Sequence, residues 1–402
     1  MMLKKFLYLI ITYFIFFLLV LILYIIKKFI LIRFGEIETR AIGHYSCSIE
    51  TYLCEKDLRI HKNPKRVYDI WIKNKIVANH FLLKKWKNYL NIISHKFLFI
   101  FIYLNKYEFG KQFLVPYRHW KNYSEVWPDV GNQYRDINNV LSRCPVHIKF
   151  TNEEIKRGNK FFIENEIKTE PVLFFARDEN YYKNKSSSHE SAIRNSSIES
   201  QVLAINEISK SNFCIRVGSK PKNQLKINND NFIDYSFSKY RNEFNDLYIF
   251  SRCKFFVSTG SGIDQLALLF RKPIVLVNAT EPEYRFNPIF NSLFKLYIPK
   301  KIFCKNENRL LTFSEIFKIG AHNLLITSDY KKRNLILIDN TPEEIRDVVY
   351  EMNQRINNNW VENKEDEELQ KMYWNINYFE KMPKFDCRIG SKYLKDNIDL
   401  LK

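Results

Sequence analysis

A run of small hydroxyl and glycine residues follows an apolar segment in the second half of the chain. Residues 254–264 read KFFVSTGSGID, so a buried strand is predicted to end in a turn before a helix. The turn consists of Ser258, Thr259, Gly260, Ser261 and Gly262. Glycines let the backbone approach a ligand, and hydroxyls and amides at a helix start can face an anion. The alternative is an ordinary tight turn, since neither G-x-G-x-x-G nor a P-loop is present.

Two arginines come at the ends of further apolar segments. Arg177 follows VLFFA, and Arg216 lies in CIRVGS. Arg194 lies in the polar stretch between them and is a possible contact of a donor substrate. A guanidinium at a strand end can bind a diphosphate through two parallel hydrogen bonds. We therefore predict that Arg177 and Arg216 join the 258–262 turn in an anion site, with ordinary surface charges as the alternative.

Two residues are candidates for a general base. His44 follows Gly43 at the predicted end of the first strand after the N-terminal apolar segment. A histidine at the mouth of a cleft can accept a proton near neutral pH. Asp178 is the second candidate, although a carboxylate beside Arg177 could simply orient that side chain. A structural or surface role is the alternative for His44.

Metal and hydrolase motifs are missing from the sequence. No D-x-D pair occurs, and the eight histidines show neither H-E-x-x-H nor H-x-x-E-H spacing. A metal-dependent nucleotide-sugar site of the D-x-D kind is therefore disfavoured, and we expect no metal or other cofactor. An α/β-hydrolase is also disfavoured because no G-x-S-x-G elbow is present.

The elements around these residues alternate between strands and helices. The predicted strands are 172–176, 213–217, 232–234, 253–258 and 273–277, and the predicted helices between them are 198–208, 246–251 and 263–270. Thr151 with Glu154 forms a capping box, and Thr341-Pro342 marks another helix start. Such alternation predicts an α/β protein with parallel, doubly wound sheets.

The first residues form a long apolar segment. Residues 6–26 carry no charge and are long enough as a helix to cross the ~30 Å hydrocarbon core of a bilayer. Lys27 and Lys28 follow at once, so a cleaved signal peptide is disfavoured. We expect one N-terminal transmembrane helix, with a buried helix as the alternative. The basic residues after it slightly favour a cytoplasmic body.

Charge and cysteine content restrict the partners and the compartment. The chain of 402 residues has 63 Lys and Arg against 44 Asp and Glu, a net charge of +19. This excess favours an anionic partner: a phosphorylated substrate, an acidic lipid or a nucleic acid. No nucleic-acid-binding motif is present, so nucleic acid is the weakest of the three. The seven cysteines form no C-x-x-C pair, which suggests free thiols in a reducing compartment.

The order of several segments resembles a family of bacterial glycosyltransferases associated with surface-polysaccharide synthesis. The segments are IGH (42–44), FT (150–151), FFARDENYY (174–182), IRVGS (215–219), DYSF (234–237), KFFVSTGSGID (254–264), FRKPIVLVN (270–278) and NTPEEI (340–345). The family is thought to have two Rossmann-like domains of the GT-B type and is remotely similar to fucosyltransferases. The resemblance implies that Arg177, Arg216 and the 258–262 turn hold the diphosphate of a nucleotide sugar.

Together these observations predict a membrane-anchored, metal-independent glycosyltransferase. We expect an anchor over 1–30, an acceptor domain over 31–165, a nucleotide-sugar domain over 166–355 and a helical tail over 356–402. The acceptor would be a glycan or a lipid-linked sugar. Two alternatives are a transferase that adds a pyruvyl or phosphoryl group to a glycan and a non-catalytic scaffold of a polysaccharide assembly complex.

Overall fold

The computed structural model describes residues 2–60, 66–95, 98, 101–102, 108–115, 136, 138–182, 192–219, 221–280, 295–324, 326–376 and 387–402. The chain divides into two compact units, Met1–Tyr134 and Arg135–Lys402. The division lies after Tyr134, whereas the sequence predicts a boundary at residue 165. The helix that begins after Thr151 therefore belongs to the second unit.

The first unit contains a parallel sheet covered by helices. Its described strands are β1 (Ile30–Ile37), β2 (Arg66–Lys73) and β3 (Asn91–Ile93), in that order across the sheet. Its described helices are α1 (Met2–Ile26), α2 (Ile42–Tyr45), α3 (Cys47–Asp57) and α4 (His80–Trp86), with a 3-10 helix at Glu108–Phe113. Strand β1 ends at Ile37, and the predicted strand end at Gly43-His44 is instead the short helix α2.

The N-terminal apolar segment is helical, as predicted. Side chains of this helix are described for Ile11 and for residues 14–26, and its inner side packs on the first sheet. Within the residues that the structure describes, no helix is both long and apolar enough to cross a membrane. The predicted transmembrane helix is therefore not supported.

A buried ion pair joins the first sheet to α3. Arg33 on β1 donates two hydrogen bonds to Asp69 on β2, at 2.6 and 2.8 Å, and Tyr52 on α3 donates to the same carboxylate. Burial, then the charge of Asp69, raises the pKa of Tyr52 well above its ordinary value, so the phenol stays protonated and keeps donating.

The second unit contains a parallel sheet with the strand order β13-β9-β8-β7-β4-β5-β6. The strands are β4 (Val172–Phe174), β5 (Cys214–Arg216), β6 (Phe232–Asp234), β7 (Phe255–Ser258), β8 (Ile274–Ala279), β9 (Lys295–Pro299) and β13 (Cys387–Ile389). The central strands β4, β7 and β8 are fully buried. They appear in the sequence as continuous apolar runs because helices cover both faces of such a sheet. The predicted α/β class with parallel sheets is confirmed.

Five of the nine described α-helices of the second unit begin at a side-chain cap. The nine helices are α5 (Asn152–Glu164), α6 (Val202–Ile208), α7 (Glu243–Arg252), α8 (Asp264–Leu269), α9 (Phe313–Lys318), α10 (Thr327–Lys332), α11 (Pro342–Ile356), α12 (Lys364–Trp374) and α13 (Ser391–Asp396). Short 3-10 helices lie at Glu179–Tyr182, Ala192–Arg194, Ile198–Gln201, Tyr235–Phe237, Ala321–Asn323 and Ile398–Leu401. Thr151, Thr312 and Thr341 each form a complete capping box. The first and third of these starts are predicted from the sequence.

Two features of the second unit are not predicted from the sequence. A small antiparallel sheet of β10 (Lys301–Cys304), β11 (Arg309–Leu310) and β12 (Leu335–Ile338) follows β9. The predicted helical tail contains α12 and α13, but between them it returns to the main sheet as β13, parallel to β9. Gln370 on α12 holds this strand by accepting from the amide of Ile389 and donating to its carbonyl.

Candidate functional site

The strand order of the seven-stranded sheet reverses at the carboxyl ends of β4 and β7, a position termed the crevice here. From β4 the chain proceeds to β5 and β6 on one side, and then returns to place β7, β8 and β9 on the other. All neighbouring pairs in this sheet are parallel. Ligands of open α/β sheets bind where the strand order reverses in this way, outside the carboxyl ends of the strands. Arg177 and the 258–262 turn follow the two strands that flank this point.

Arg177 connects the two sides of the crevice through its backbone. Its amide donates to the hydroxyl of Thr259 at 3.0 Å, and its carbonyl accepts from the amide of Ser196 at 2.9 Å. The residue is only 3% exposed, so its side chain is buried. The backbone of Arg177 thus contacts the turn after β7 and the segment that follows Arg194, while binding of a diphosphate by these residues stays a prediction.

Several polar groups of the 258–262 turn form hydrogen bonds to one another and to Asp264. Ser258 donates to Asp264 at 2.6 Å and accepts from the amide of Gly260 at 3.1 Å. The amide of Ser261 donates to the other oxygen of Asp264 at 3.0 Å. Gly260 has φ +82°, which favours glycine there. The hydroxyl of Ser258 and the amides of Gly260 and Ser261 are therefore used inside the turn, next to the buried carboxylate of Asp264.

Arg216 lies at the end of β5 but is committed to an internal ion pair. Its Nη1 donates to Asp234 at 2.9 Å and to the carbonyl of Asn223 at 2.7 Å, and both charged side chains are buried. The amide of Leu225 donates to the same oxygen of Asp234 at 2.7 Å. The pair therefore holds Asn223 and Leu225 at the ends of β5 and β6. The predicted contact of Arg216 with a diphosphate would have to compete with Asp234.

Asp178 holds two loops together. One oxygen accepts from the amide of Asn180 at 3.0 Å, and the other accepts from the amide of Lys222 at 2.6 Å. The oxygens that a general base would use are thus engaged by backbone donors. The role of Asp178 as a base stays a prediction, and its contacts show a structural one.

Two asparagines, Asn278 in β8 and Asn340 just after β12, are not predicted from the sequence as site residues. Asn278 and Asn340 exchange hydrogen bonds, each amide donating to the other side-chain oxygen, at 2.6 and 2.5 Å. Asn278 also donates to Ser196 at 2.8 Å. Asn278 has φ +52°, a conformation that asparagine tolerates better than most residues. Asn278 could have been identified from the sequence, because it directly follows a buried apolar run.

Lys300, just after β9, adds a positive charge. Its amino group donates to the carbonyl of Asn195 at 3.1 Å and pairs with Asp339 at 2.7 Å. The lysine side chain is 4% exposed, whereas that of Asp339 is 47% exposed. Beside it, the hydroxyl of Thr280 is buried and has no hydrogen-bond partner within the described residues. The crevice therefore combines buried cations with an unsatisfied hydroxyl.

His44 lies in α2 of the first unit, after the carboxyl end of β1. Its neighbours include Glu38, which Arg40 binds through Nε at 2.7 Å and through Nη2. Burial opposes ionisation of Glu38, but hydrogen bonds from Arg40 and the charges of Arg40 and His44 together lower the pKa of that carboxyl. A carboxylate that stays ionised therefore lies near His44.

Two solved structures are similar to this chain. One is described as glycosyl transferase family 9 from Veillonella parvula, with 11% identity over 75% of this chain and 95% of that one, at a TM-score of 0.39. The other is the E. coli ADP-heptose LPS heptosyltransferase II, with 12% identity over 81% of this chain and 99% of that one, at a TM-score of 0.41. No protein-family model matches the sequence, and no curated protein does.

Proposed function

We propose that the protein is a glycosyltransferase of the GT-B type, which moves a sugar from a nucleotide-sugar donor to a glycan or lipid-linked acceptor. The observation that supports this best is the position of Arg177, at the point where the strand order of a parallel sheet reverses. That point is where such sheets bind nucleotides. The sugar-transfer chemistry itself rests on the sequence resemblance.

In this proposal the cations of the crevice bind the donor diphosphate. Arg177 and Arg194 contact the phosphates, and Lys300 adds positive potential. The amide of Gly262 contributes a backbone donor. Ser258, Thr259, Gly260, Ser261 and Arg216 shape the crevice more than they contact the ligand, because their polar groups are used internally.

The reaction needs charge stabilisation and a base. The acceptor hydroxyl forms a bond to the anomeric carbon, the bond from that carbon to the diphosphate oxygen breaks, and the leaving diphosphate gains one negative charge. Fixed cations interact more strongly with that developing charge than with the bound donor, so they lower the barrier without a metal. His44 takes the proton of the acceptor hydroxyl, and Glu38 stabilises the resulting imidazolium.

The internal hydrogen bonds of the crevice favour one alternative. Arg216 and the amides of Gly260 and Ser261 are already satisfied by carboxylate or hydroxyl oxygens. A protein that only scaffolds a polysaccharide assembly complex would need no further donors there. Selective binding of a nucleotide separates the two functions.

The cellular setting is also part of the proposal. We place the protein at the cytoplasmic face of a membrane, in surface-polysaccharide synthesis. The seven buried cysteines and the net charge of +19 support a reducing compartment and an anionic surface.

A thermal-shift screen tests the function. The full chain, in a mild detergent, is mixed with nucleotide sugars and nucleoside diphosphates of each base. Ligand at a hundred times its Kd should stabilise the fold by about 2.7 kcal/mol. We expect one base to raise Tm, with the effect lost in Arg177→Ala and kept in the matched control Arg252→Ala, an exposed arginine on α7. No stabilisation by any nucleotide would support the scaffold.

A further inference from the structure

Helix α1 carries two apolar stripes on opposite sides. Phe16, Leu19, Val20, Leu23 and Tyr24 recur at helical spacing and pack into the core of the first unit. The opposite stripe consists of Phe14, Phe17, Leu18, Leu21, Ile22 and Ile25, which are between 41% and 63% exposed. Residues 14–26 contain no charged side chain. A helix exposed to water normally has a polar outer side, so this stripe needs a partner.

The inner stripe is fixed by ring contacts and hydrogen bonds. The ring of Phe16 lies 5.6 Å from that of Phe101, and the ring of Tyr24 lies 5.0 Å edge-on to that of Phe113. Gln112 donates to the hydroxyl of Tyr24 and accepts from Lys27, both at 2.8 Å. The second half of α1 is therefore an integral part of the first unit.

These contacts limit how α1 can meet a bilayer. Among the described side chains the first such contact is that of Phe16, and residues 2–15 lie ahead of it. At 1.5 Å per residue this part is about 21 Å long, which is shorter than a hydrocarbon core of ~30 Å. The helix therefore cannot enter a bilayer apart from the first unit, and the unit itself must approach the lipid.

The charges beside the exposed stripe fit an anionic surface. Lys28 follows the helix and is exposed, and Phe29 beside it is 81% exposed. An aromatic ring next to basic residues is typical of helices that lie at the level of the lipid headgroups. A second copy of the chain would be a poorer occupant, because protein interfaces carry polar rims and residues 14–26 have none.

We propose that the exposed stripe of α1 lies in the headgroup and acyl boundary of an anionic bilayer, with the first unit resting on the membrane surface. The helix lies along the surface, and its inner stripe stays packed on β1 and the 3-10 helix at Glu108–Phe113. This inference rests on the membrane location in the proposed function and specifies the contact that produces it. The contact would hold the first unit, the proposed acceptor-binding part of the chain, next to lipid-linked acceptors.

The buried cysteines allow a site-specific test. All seven native thiols are buried, and burial raises the pKa of Cys253 to about 12, so a cysteine introduced on the surface can be labelled selectively. Full-length protein with Leu21→Cys or, as a control, Val361→Cys is labelled with the environment-sensitive dye NBD. Val361 is 81% exposed in the second unit. Both are mixed with phosphatidylcholine vesicles with and without one quarter phosphatidylglycerol.

We expect the label at residue 21 to brighten and shift to the blue with anionic vesicles and to be quenched by brominated lipid, while the label at residue 361 does not respond. Phe17→Asp/Leu21→Asp should lower partitioning to anionic vesicles at least about a hundredfold, because two large apolar side chains lose their contact with lipid. Val361→Asp should leave it unchanged.

Three results would overturn the inference. The first is flotation of the double variant at the level of the parent, and the second is a label at residue 21 that stays in water while the protein binds vesicles. The third is a parent protein that does not bind vesicles but forms a dimer, if the double substitution abolishes that dimer. This result would assign the stripe to a second copy of the chain. Nucleotide binding is measured on the same variants and should be unchanged. If the parent protein binds no nucleotide, that result contradicts the proposed function and leaves the membrane contact to the vesicle experiments.

Discussion

The buried pair of Arg216 and Asp234 gives the sharpest test of how the crevice is built. Arg216→Met removes the partner of a carboxylate that is buried and whose Oδ1 already has no hydrogen-bond partner within the described residues. Breaking such a pair by removing one member costs about 3–5 kcal/mol. Whole domains are stable by only about 5–15 kcal/mol, so the loss should be obvious.

Urea unfolding of the full chain, followed by circular dichroism, measures this loss. We expect Arg216→Met to lower the free energy of unfolding by about 3–5 kcal/mol, and Arg216→Met/Asp234→Leu to lower it by less than the sum of the single variants, since the two side chains interact. The exposed control Arg252→Met should stay within about 0.5 kcal/mol of the parent. At temperatures where the variant is folded, nucleotide affinity should change little. A stable Arg216→Met protein that binds nucleotide more than about tenfold more weakly would refute this account, because it would make Arg216 a ligand contact.

Three further outcomes are expected. Thr259→Val removes the acceptor of the Arg177 amide and should cost about 1–3 kcal/mol in urea unfolding while weakening nucleotide binding; unchanged values for both would show that this bond does not position Arg177. Gly158→Ala would place a methyl group 2.2 Å from the ring of Tyr248, so it should destabilise the α5–α7 contact by about 1–3 kcal/mol, against no effect for the exposed Lys156→Ala on the same helix. A hydrogen bond from Arg309 lowers the pKa of Glu315 to about 2, below its ordinary 4.5, so the stabilisation is present above pH 4.5 and declines toward pH 2. The Tm difference between Glu315→Gln and the parent should therefore shrink as pH falls from 6 to 3, and a constant difference would contradict the assignment.

Much of the second unit can be predicted from the sequence because its central strands are buried on both faces. Such strands appear as continuous apolar runs, and the runs ending at Phe174, Arg216 and Ser258 lie where the strands are found. Local capping chemistry likewise identifies the helix starts at Thr151 and Thr341. Both signals depend only on neighbouring residues.

The elements that were missed depend on distant partners. Strand β13 has only three residues, and it forms because β9 and Gln370 supply its hydrogen bonds. Asp234 binds Arg216 from 18 residues away, so the sequence suggested a free arginine at a strand end. In the same way, the apolar pattern of α1 resembles a transmembrane span, and only the packing of Phe16 and Leu23 on the first sheet shows its second role.

Release of nucleoside diphosphate during sugar transfer tests the central claim most directly. The full chain is incubated with the nucleotide sugar that stabilises it, membrane lipids as acceptor source and an excess of EDTA, and labelled sugar in the lipid fraction is counted against free diphosphate. We expect transfer to continue in EDTA and to fall about ten- to a hundredfold in Arg177→Ala, since a charged hydrogen bond contributes about 1.5–3 kcal/mol, with Arg252→Ala at the level of the parent. No transfer in the parent, or equal transfer in Arg177→Ala, would contradict the account.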